Sequence, residues 1–384
     1  MKSQYGRLLV VGLLISFLGL GLFTGSASAD AEQDYLRGEE YLTAQDYKEA
    51  AKWWRKAAEQ GFVDAQFNLG VMYAKGEGVA QDHKKAVMWF RKAAEQGNVN
   101  AQFNLGKHYY TGRGIIQDFK EAAKWYRKAA EQGDVKSQFF IGMMYDEGKG
   151  VEQNYKKAMK WWKKAAEQGF AECQYLIGDM YDNAKGVAQN FNEAARWYRK
   201  AAEQGYVSAQ SILGKLYIAG LGVEKDHKEA VKWYRKAAEQ GDSESQHGLG
   251  IMYYNGKGVA QDYKNAVKWW RKSAEQGGAI SQHLLGDMYR KGQGIAKDYK
   301  EAVKWYRKAA EQGIADAQYI LGFMYINGQG VIQNYIKAHK WINISAASGY
   351  ENAAKYRDIF AKKMTQSQIE KAQELASQWM VNHP

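Results

Sequence analysis

The tetrapeptide Ala-Glu-Gln-Gly ends at Gly61, Gly97, Gly133, Gly169, Gly205, Gly241, Gly277 and Gly313, a spacing of 36 residues each time. Gly349 continues the series within Ser-Ala-Ala-Ser-Gly. Trp53, Trp89, Trp125, Trp161, Trp197, Trp233, Trp269, Trp305 and Trp341 recur on the same period. Units this short cannot bury an apolar face alone, so the repeat predicts an array in which each unit stacks on the next. The only Pro of the 384 residues is the last, Pro384, whereas Gly occurs 40 times. Pro-free units rich in Ala, Lys, Glu and Gln predict helices throughout.

Residues 62 to 97 show the plan of one unit. Ala65, Leu69, Met72 and Tyr73 fall at i, i+4, i+7 and i+8, one apolar helix face. Gly76-Glu77-Gly78 breaks that helix. Asp82 and its equivalents Asp118, Asn154, Asn190, Asp226, Asp262, Asp298 and Asn334 stand where an N-cap opens a second helix. Ala86, Trp89, Phe90 and Ala93 form its apolar stripe, and Gly97 closes it as a left-handed cap. Each unit is therefore a helix hairpin with a long connecting loop. Gly70 and its equivalents sit mid-helix, and the expected compensation is close helix approach beside the recurring Trp.

Ala-x-x-x-Leu-Gly-x-x-Tyr, then Gly-x-Gly-Val-x-x-Asp, then Ala-x-x-Trp-Tyr-x-x-Ala-Ala-Glu-Gln-Gly resembles the Sel-one-like repeat, a relative of the tetratricopeptide repeat with a longer loop. The resemblance implies an all-α fold, a right-handed α/α superhelical solenoid of stacked hairpins. Eight such repeats are expected over residues 62–349. Residues 30–61 are expected to form a tetratricopeptide-like capping hairpin, because Tyr41 to Asp46 is four residues shorter than Tyr73 to Asp82 and lacks the Gly-x-Gly. Residues 350–384 are expected to hold a degenerate repeat helix and a capping helix. Thr365 to Gln368 reads as a capping box, followed by an apolar face of Ile369, Ala372, Leu375, Ala376 and Trp379.

The first residues read as an export signal. Lys2 and Arg7 precede an apolar run from Leu8 to Phe23, and Ala27-Ser28-Ala29 has the small-x-small pattern of a cleavage site. Residues 1–29 are expected to be removed, leaving a soluble, non-spanning chain in the periplasm or outside the cell. No Cys follows the cleavage site, which argues against lipid attachment there.

The remaining positions argue against chemistry. The Gly-x-Gly loops follow no strand and carry no Lys-Ser/Thr, so they read as turns rather than phosphate cradles. Ala184 replaces the first Gly of one loop, which predicts a local difference. The single Cys, Cys173, occupies a small slot held elsewhere by Ala65, Ala101, Ser137 and Ala209, and excludes a disulfide framework. His83 and His227 share a slot with aromatics, and His339 stands where Val231 and Val267 stand. No catalytic set is recognisable, and neither an enzyme activity nor a cofactor is expected. The +12 net charge gathers in ladders such as Lys232, Arg235 and Lys236. Glu239, Glu275 and Glu311 follow the arginines by four residues, so the ladders read as a solvated face rather than a nucleic-acid surface, with contact to an anionic envelope polymer or lipid surface as the weaker alternative.

Positions equivalent to 67, 71 and 74 vary from unit to unit and share one stripe of the first helix. In solenoids of the resembled family the first helices usually line the concave surface. The candidate partner-binding residues there are Phe103, Lys107 and Tyr110; Phe139 and Asp146; Tyr175, Asp179 and Asp182; His247 and Tyr254; His283, Asp287 and Arg290; and Tyr319. Aromatic residues with scattered charge suit a protein or peptide partner. His283 and Asp287 stand at i and i+4, the spacing of a metal pair, but a bridging His247 would be strained, and no metal site is expected. The resemblance implies an exported scaffold or adaptor. An envelope glycan such as peptidoglycan is the alternative partner. Weak β-lactam hydrolysis belongs to relatives with paired Cys, which this chain lacks.

Overall fold

The computed structural model describes residues 29–383. The export-signal reading falls outside them except for Ala29. Every regular element is a helix, and the described chain divides into two units, one ending at Ser137 and one beginning at Gln138.

The first unit contains α1 (Ala29–Thr43), α2 (Tyr47–Glu59), α3 (Val63–Lys75), α4 (His83–Glu95), α5 (Val99–Thr111) and α6 (Phe119–Glu131). The division falls within α7 (Val135–Glu147). The second unit continues with α8 (Tyr155–Glu167), α9 (Ala171–Asp182), α10 (Phe191–Glu203), α11 (Val207–Ala219), α12 (His227–Glu239), α13 (Ser243–Asn255), α14 (Tyr263–Glu275), α15 (Ala279–Lys291), α16 (Tyr299–Glu311), α17 (Ala315–Asn327), α18 (Tyr335–Ala347), α19 (Ala353–Ala361) and α20 (Gln366–Asn382). Within each unit, a helix packs on its hairpin partner and on the next hairpin.

Local chemistry sets these boundaries. Asp82 accepts hydrogen bonds from the backbone N–H groups of Lys84 and Lys85, and Asn190 accepts one from Glu193. Such caps satisfy donors that a helix start leaves unpaired. At the other end, Gly97 N–H donates to Ala94 O and Asn98 N–H to Ala93 O, a Schellman closure around Gly97 at φ +95°. Where a long loop has both glycines, the two differ in purpose. Gly76, at φ +78°, ends α3 in the left-handed region, whereas a β-carbon on Gly78 would collide with the Tyr47 carbonyl at the start of α2. The loops are turns that seat each hairpin on the one before it, as expected.

The recurring Trp does not lie beside the mid-helix Gly, which corrects the expectation. The following residue does. Gly70 faces Phe90, Gly106 faces Tyr126, Gly178 faces Tyr198 and Gly250 faces Trp270. One residue further along a helix turns a side chain by about 100°, enough to point it at a different neighbour. The recurring Trp instead fills the seam between hairpins. Trp233 clusters with Ala194 and Tyr198 of the preceding hairpin and Leu213 of its own, and Trp269 with Ala230 and Tyr234 of the preceding hairpin and Leu249 of its own.

Two polar ladders cross the same seams. Gln96 Nε2 donates to Gln66 Oε1 at 2.8 Å, and Gln66 Nε2 donates to Ala58 O at 3.1 Å. The pattern repeats in the second unit from Gln168–Gln138 to Gln312–Gln282. Arginine forms the other ladder: Arg91 Nη2 donates to Tyr109 Oη at 2.7 Å and Arg235 Nη2 to Tyr253 Oη at 2.9 Å. The arginines thus reach the next hairpin. The ion pairs along these helices come from a cation three residues after the first-turn acid, as Lys304 with Glu301 and Arg196 with Glu193.

The glutamine ladder stops one step early. Ser348 stands where Gln312 and its equivalents stand, and the buried Gln318 Oε1 has no partner among the described residues. Ser348→Gln is expected to complete the ladder and stabilise the protein by about 1 kcal/mol. Urea unfolding of the variant beside the natural chain checks this, and an unchanged midpoint would refute it. Beyond this step α20 packs on α18, burying Ala372 and Ala376, with Trp379 edge-on to Trp341. The Thr365–Gln368 capping box forms as expected.

Candidate functional site

The variable stripe lies on the first helices, and its three positions behave differently. The first position is mostly mortar. In the first unit Phe67 packs on Phe90 and Phe103 on Tyr126, with ring centroids 6.0 and 5.8 Å apart. In the second unit Phe139 meets Phe170, Tyr175 lies against both Tyr198 and Tyr206, and Tyr319 against Tyr350 and Tyr356. These aromatics are half-buried between their own second helix and the next hairpin. His247 and His283 occupy the same position. His247 Nδ1 is 2.9 Å from Ser281 Oγ, and His283 Nε2 is 3.5 Å from an Asp316 carboxylate oxygen. Burial first, against the pull of nearby carboxylates, keeps both imidazoles below the usual histidine pKa.

The second and third positions carry polar groups that reach the surface. Lys107 is exposed and Tyr110 sits edge-on to Phe119. Asp146, Asp179 and Asp182 are half-buried. Lys185 Nζ is 3.8 Å from an Asp146 oxygen, and Tyr198 Oη donates to Asp182 at 3.4 Å. Burial raises the Asp146 and Asp179 carboxyls above the ordinary range, and Lys185 only partly opposes it. Tyr254 stacks at a tilt on Tyr263 and Trp270.

Asp287 is spoken for within its own helix and hairpin. Arg290 and Lys291 reach it at 3.1 and 2.8 Å, and Tyr306 Oη donates to it. Burial pushes its carboxyl up, but the hydrogen bonds from Lys291, Tyr306 and Arg290 outweigh that and hold it low. No group of three His, Cys, Asp or Glu side chains converges as metal ligands among the described residues.

The loop after α9 departs from the others, as its sequence predicts. Without the first Gly, α9 is one residue shorter, Asn183 takes the C-cap position at φ −100°, and Ala184 adopts φ +57°. Lys185 then lies near Asp146, so this loop supplies the cation beside the carboxylates. Cys173 is fully buried, and burial pushes its thiol up, the opposite of a reactive thiolate. His339 is buried in the slot that Val fills elsewhere.

Reading the chain by pattern missed the glutamines. Their recurrence in Ala-Glu-Gln-Gly was visible, but each bonds a glutamine 30 residues away, and only the stacked register brings the two together.

A family model described as Sel1 repeat matches nine consecutive segments: 31–62, 63–98, 99–134, 135–170, 171–206, 207–242, 243–278, 279–314 and 315–350. A solved Sel1 repeat protein from Oxalobacter formigenes is 31% identical with a TM-score of 0.63, covering 89% of this chain and 96% of that one. The c5321 protein, a protective antigen of uropathogenic Escherichia coli displaying an SLR fold, is 33% identical with a TM-score of 0.53, covering 93% of each chain. No curated protein matches the chain.

Proposed function

The chain belongs to the Sel1 repeat family, and on that premise we propose that it is an exported scaffold that holds a protein or peptide partner against its first helices. Folds of this family typically serve as scaffolds for protein–protein contacts and are generally non-catalytic. The observation that carries the finer reading is the contrast within each repeat. Residues that stacking needs recur almost unchanged, while the second and third stripe positions read Lys107 and Tyr110, then Asp179 and Asp182, then Asp287 and Arg290. Side chains free to differ in an otherwise repetitive array are where a partner can be specified.

Export fits the start of α1. Removal after Ala29 would leave Asp30 and Glu32 in the first helical turn, where negative charge is favourable. No helix among the described residues is long and apolar enough to cross a membrane.

The test is in-cell cross-linking of the tagged protein with mass spectrometry, alongside a Lys107→Glu/Asp182→Lys variant. These positions are preferable to the stripe tyrosines, whose rings pack between helices. A partner captured by the natural chain and lost from the folded variant is expected. Equal capture by both would move binding off the stripe. The same sample, fractionated and analysed by intact mass, is expected to yield a chain beginning at Asp30 outside the cytoplasm.

A further inference from the structure

The second helices of the unit beginning at Gln138 carry most of its positive charge. In α8, Lys156, Lys157, Lys160, Lys163 and Lys164 face a single Glu167; in α14, Lys264, Lys268, Arg271 and Lys272 face a single Glu275. The first helix α9 carries Glu172, Asp179 and Asp182 and no Lys or Arg. First helices of this unit range from acidic α9 to α11, which has Lys215 and no acid, whereas α8 and α14 are strongly basic.

Within that cationic set, α8 and α14 stand apart from three others. The helices α10, α12 and α16 place Glu193, Glu229 and Glu301 in their first turn, and each is paired with the cation three residues on, Arg196, Lys232 or Lys304. In α8 and α14 that acidic position is Lys157 and Asn265, so Lys160 and Lys268 lack the partner. Open grooves lie along these two helices. One is lined by Lys156, Lys160, Lys163 and Lys164, the other, about 480 Å³, by Lys264, Lys268, Arg271 and Lys272 above Val267 and Ile295. Glu167 and Glu275 are the single acids that line them.

We propose that these helices, which read from sequence as a solvated face, form a docking face for a linear phosphate polymer, with its strongest contacts in the α8 and α14 grooves. Several cations lining one groove beside apolar side chains raise a positive potential that attracts anions. Phosphate suits these grooves because their cations act as point charges: the α8 groove holds lysines alone, and in the α14 groove Arg271 already gives Nη2 to Tyr289 at 2.7 Å. A bilayer fits less well. The recurring Trp lies beneath a lysine, as Lys164 over Trp161 and Lys272 over Trp269, and offers no ring to insert. The exposed large apolar side chains described for this unit, Leu221, Ile280, Ile332, Ile359 and Val381, all lie off these helices. The two grooves are three hairpins apart, on the order of 25–30 Å at usual helix spacings. A polymer that spans both gains from the second contact at high effective concentration.

Long-chain inorganic polyphosphate, tripolyphosphate, polyglutamate and phosphatidylglycerol vesicles should be titrated against the full chain at several salt concentrations. Polyphosphate is expected to bind at least about tenfold more tightly than tripolyphosphate, with a steep salt dependence. Lys160→Glu/Lys268→Glu should cost about tenfold or more. Lys215→Glu/Lys257→Glu, the same charge change away from the grooves, should cost less than about threefold. Circular dichroism confirms that both variants remain folded. Equal losses in the two variants, polyglutamate binding as tightly as polyphosphate, or capture of vesicles but not polyphosphate would each overturn the proposal.

Discussion

Trp270→Ala is expected to destabilise the protein by about 3–5 kcal/mol, the range for emptying a buried aromatic site. Trp270 is almost fully buried, faces Gly250 across its own hairpin, and donates from Nε1 to His247 O at 3.2 Å. The substitution removes both the packing and the donor. Hairpins of a stacked array contact only their neighbours, so one weakened hairpin interrupts coupling along the array. Urea unfolding followed by circular dichroism should show a lower midpoint and a broader transition, the sign of lost two-state behaviour. Trp270→Tyr supplies the internal comparison. Tyrosine fills the same slot at Tyr126, Tyr198, Tyr234 and Tyr306, so it should recover most of the loss. A Trp270→Ala loss below about 1 kcal/mol would show that the slot collapses around the missing ring.

Gly70→Leu is expected to cost about 3 kcal/mol by overpacking the glycine side of the equivalent contact in an earlier hairpin. A β-carbon at Gly70 would stand 2.7 and 2.8 Å from two ring atoms of Phe90, closer than carbons approach. Phe90 is itself fully buried, so the ring has nowhere to retreat without moving α4. Replacing Gly70 with Ala sets two effects against each other: about 0.5–1 kcal/mol of helix stabilisation against about 1–3 kcal/mol of overpacking. Overpacking is larger, so Ala should also destabilise, though less than Leu. Adding Phe90→Leu to Gly70→Ala should restore part of the loss by opening the space. Thermal unfolding of the series measures the order; a Gly70→Ala variant more stable than the natural chain would remove the close-approach explanation.

Much of the architecture was legible without coordinates because local chemistry writes it. The 36-residue period, the Asp or Asn at each second-helix start and the Gly at each end announce hairpins through caps that act within one turn. The terminal helix was visible for the same reason, since Thr365 and Gln368 satisfy each other three residues apart. The altered loop at Ala184 was also expected, because a β-carbon strains the left-handed conformation that Gly occupies freely and that Ala184 still adopts at φ +57°.

What the sequence could not decide is which side chain meets which. Trp269 and Trp270 are adjacent and both buried, yet one fills a seam between hairpins and the other the space inside one. Periodicity assigns a face to each but does not name the neighbour across it. The stripe shows the same division. Spacing placed Tyr175, Asp179 and Asp182 on one helix face correctly, but the tyrosine is held by Tyr198 and Tyr206 from other helices, leaving the two carboxylates more of the surface role. The glutamine and arginine ladders depend still more on assembly, since their partners lie 30 and 18 residues away. Sequence by itself therefore determined the hairpin, its caps and its period, all products of backbone hydrogen bonding within a few residues. Tertiary structure alone decided the contacts between elements, because burial and hydrogen-bond partners there depend on the distance and register at which one hairpin settles on the next.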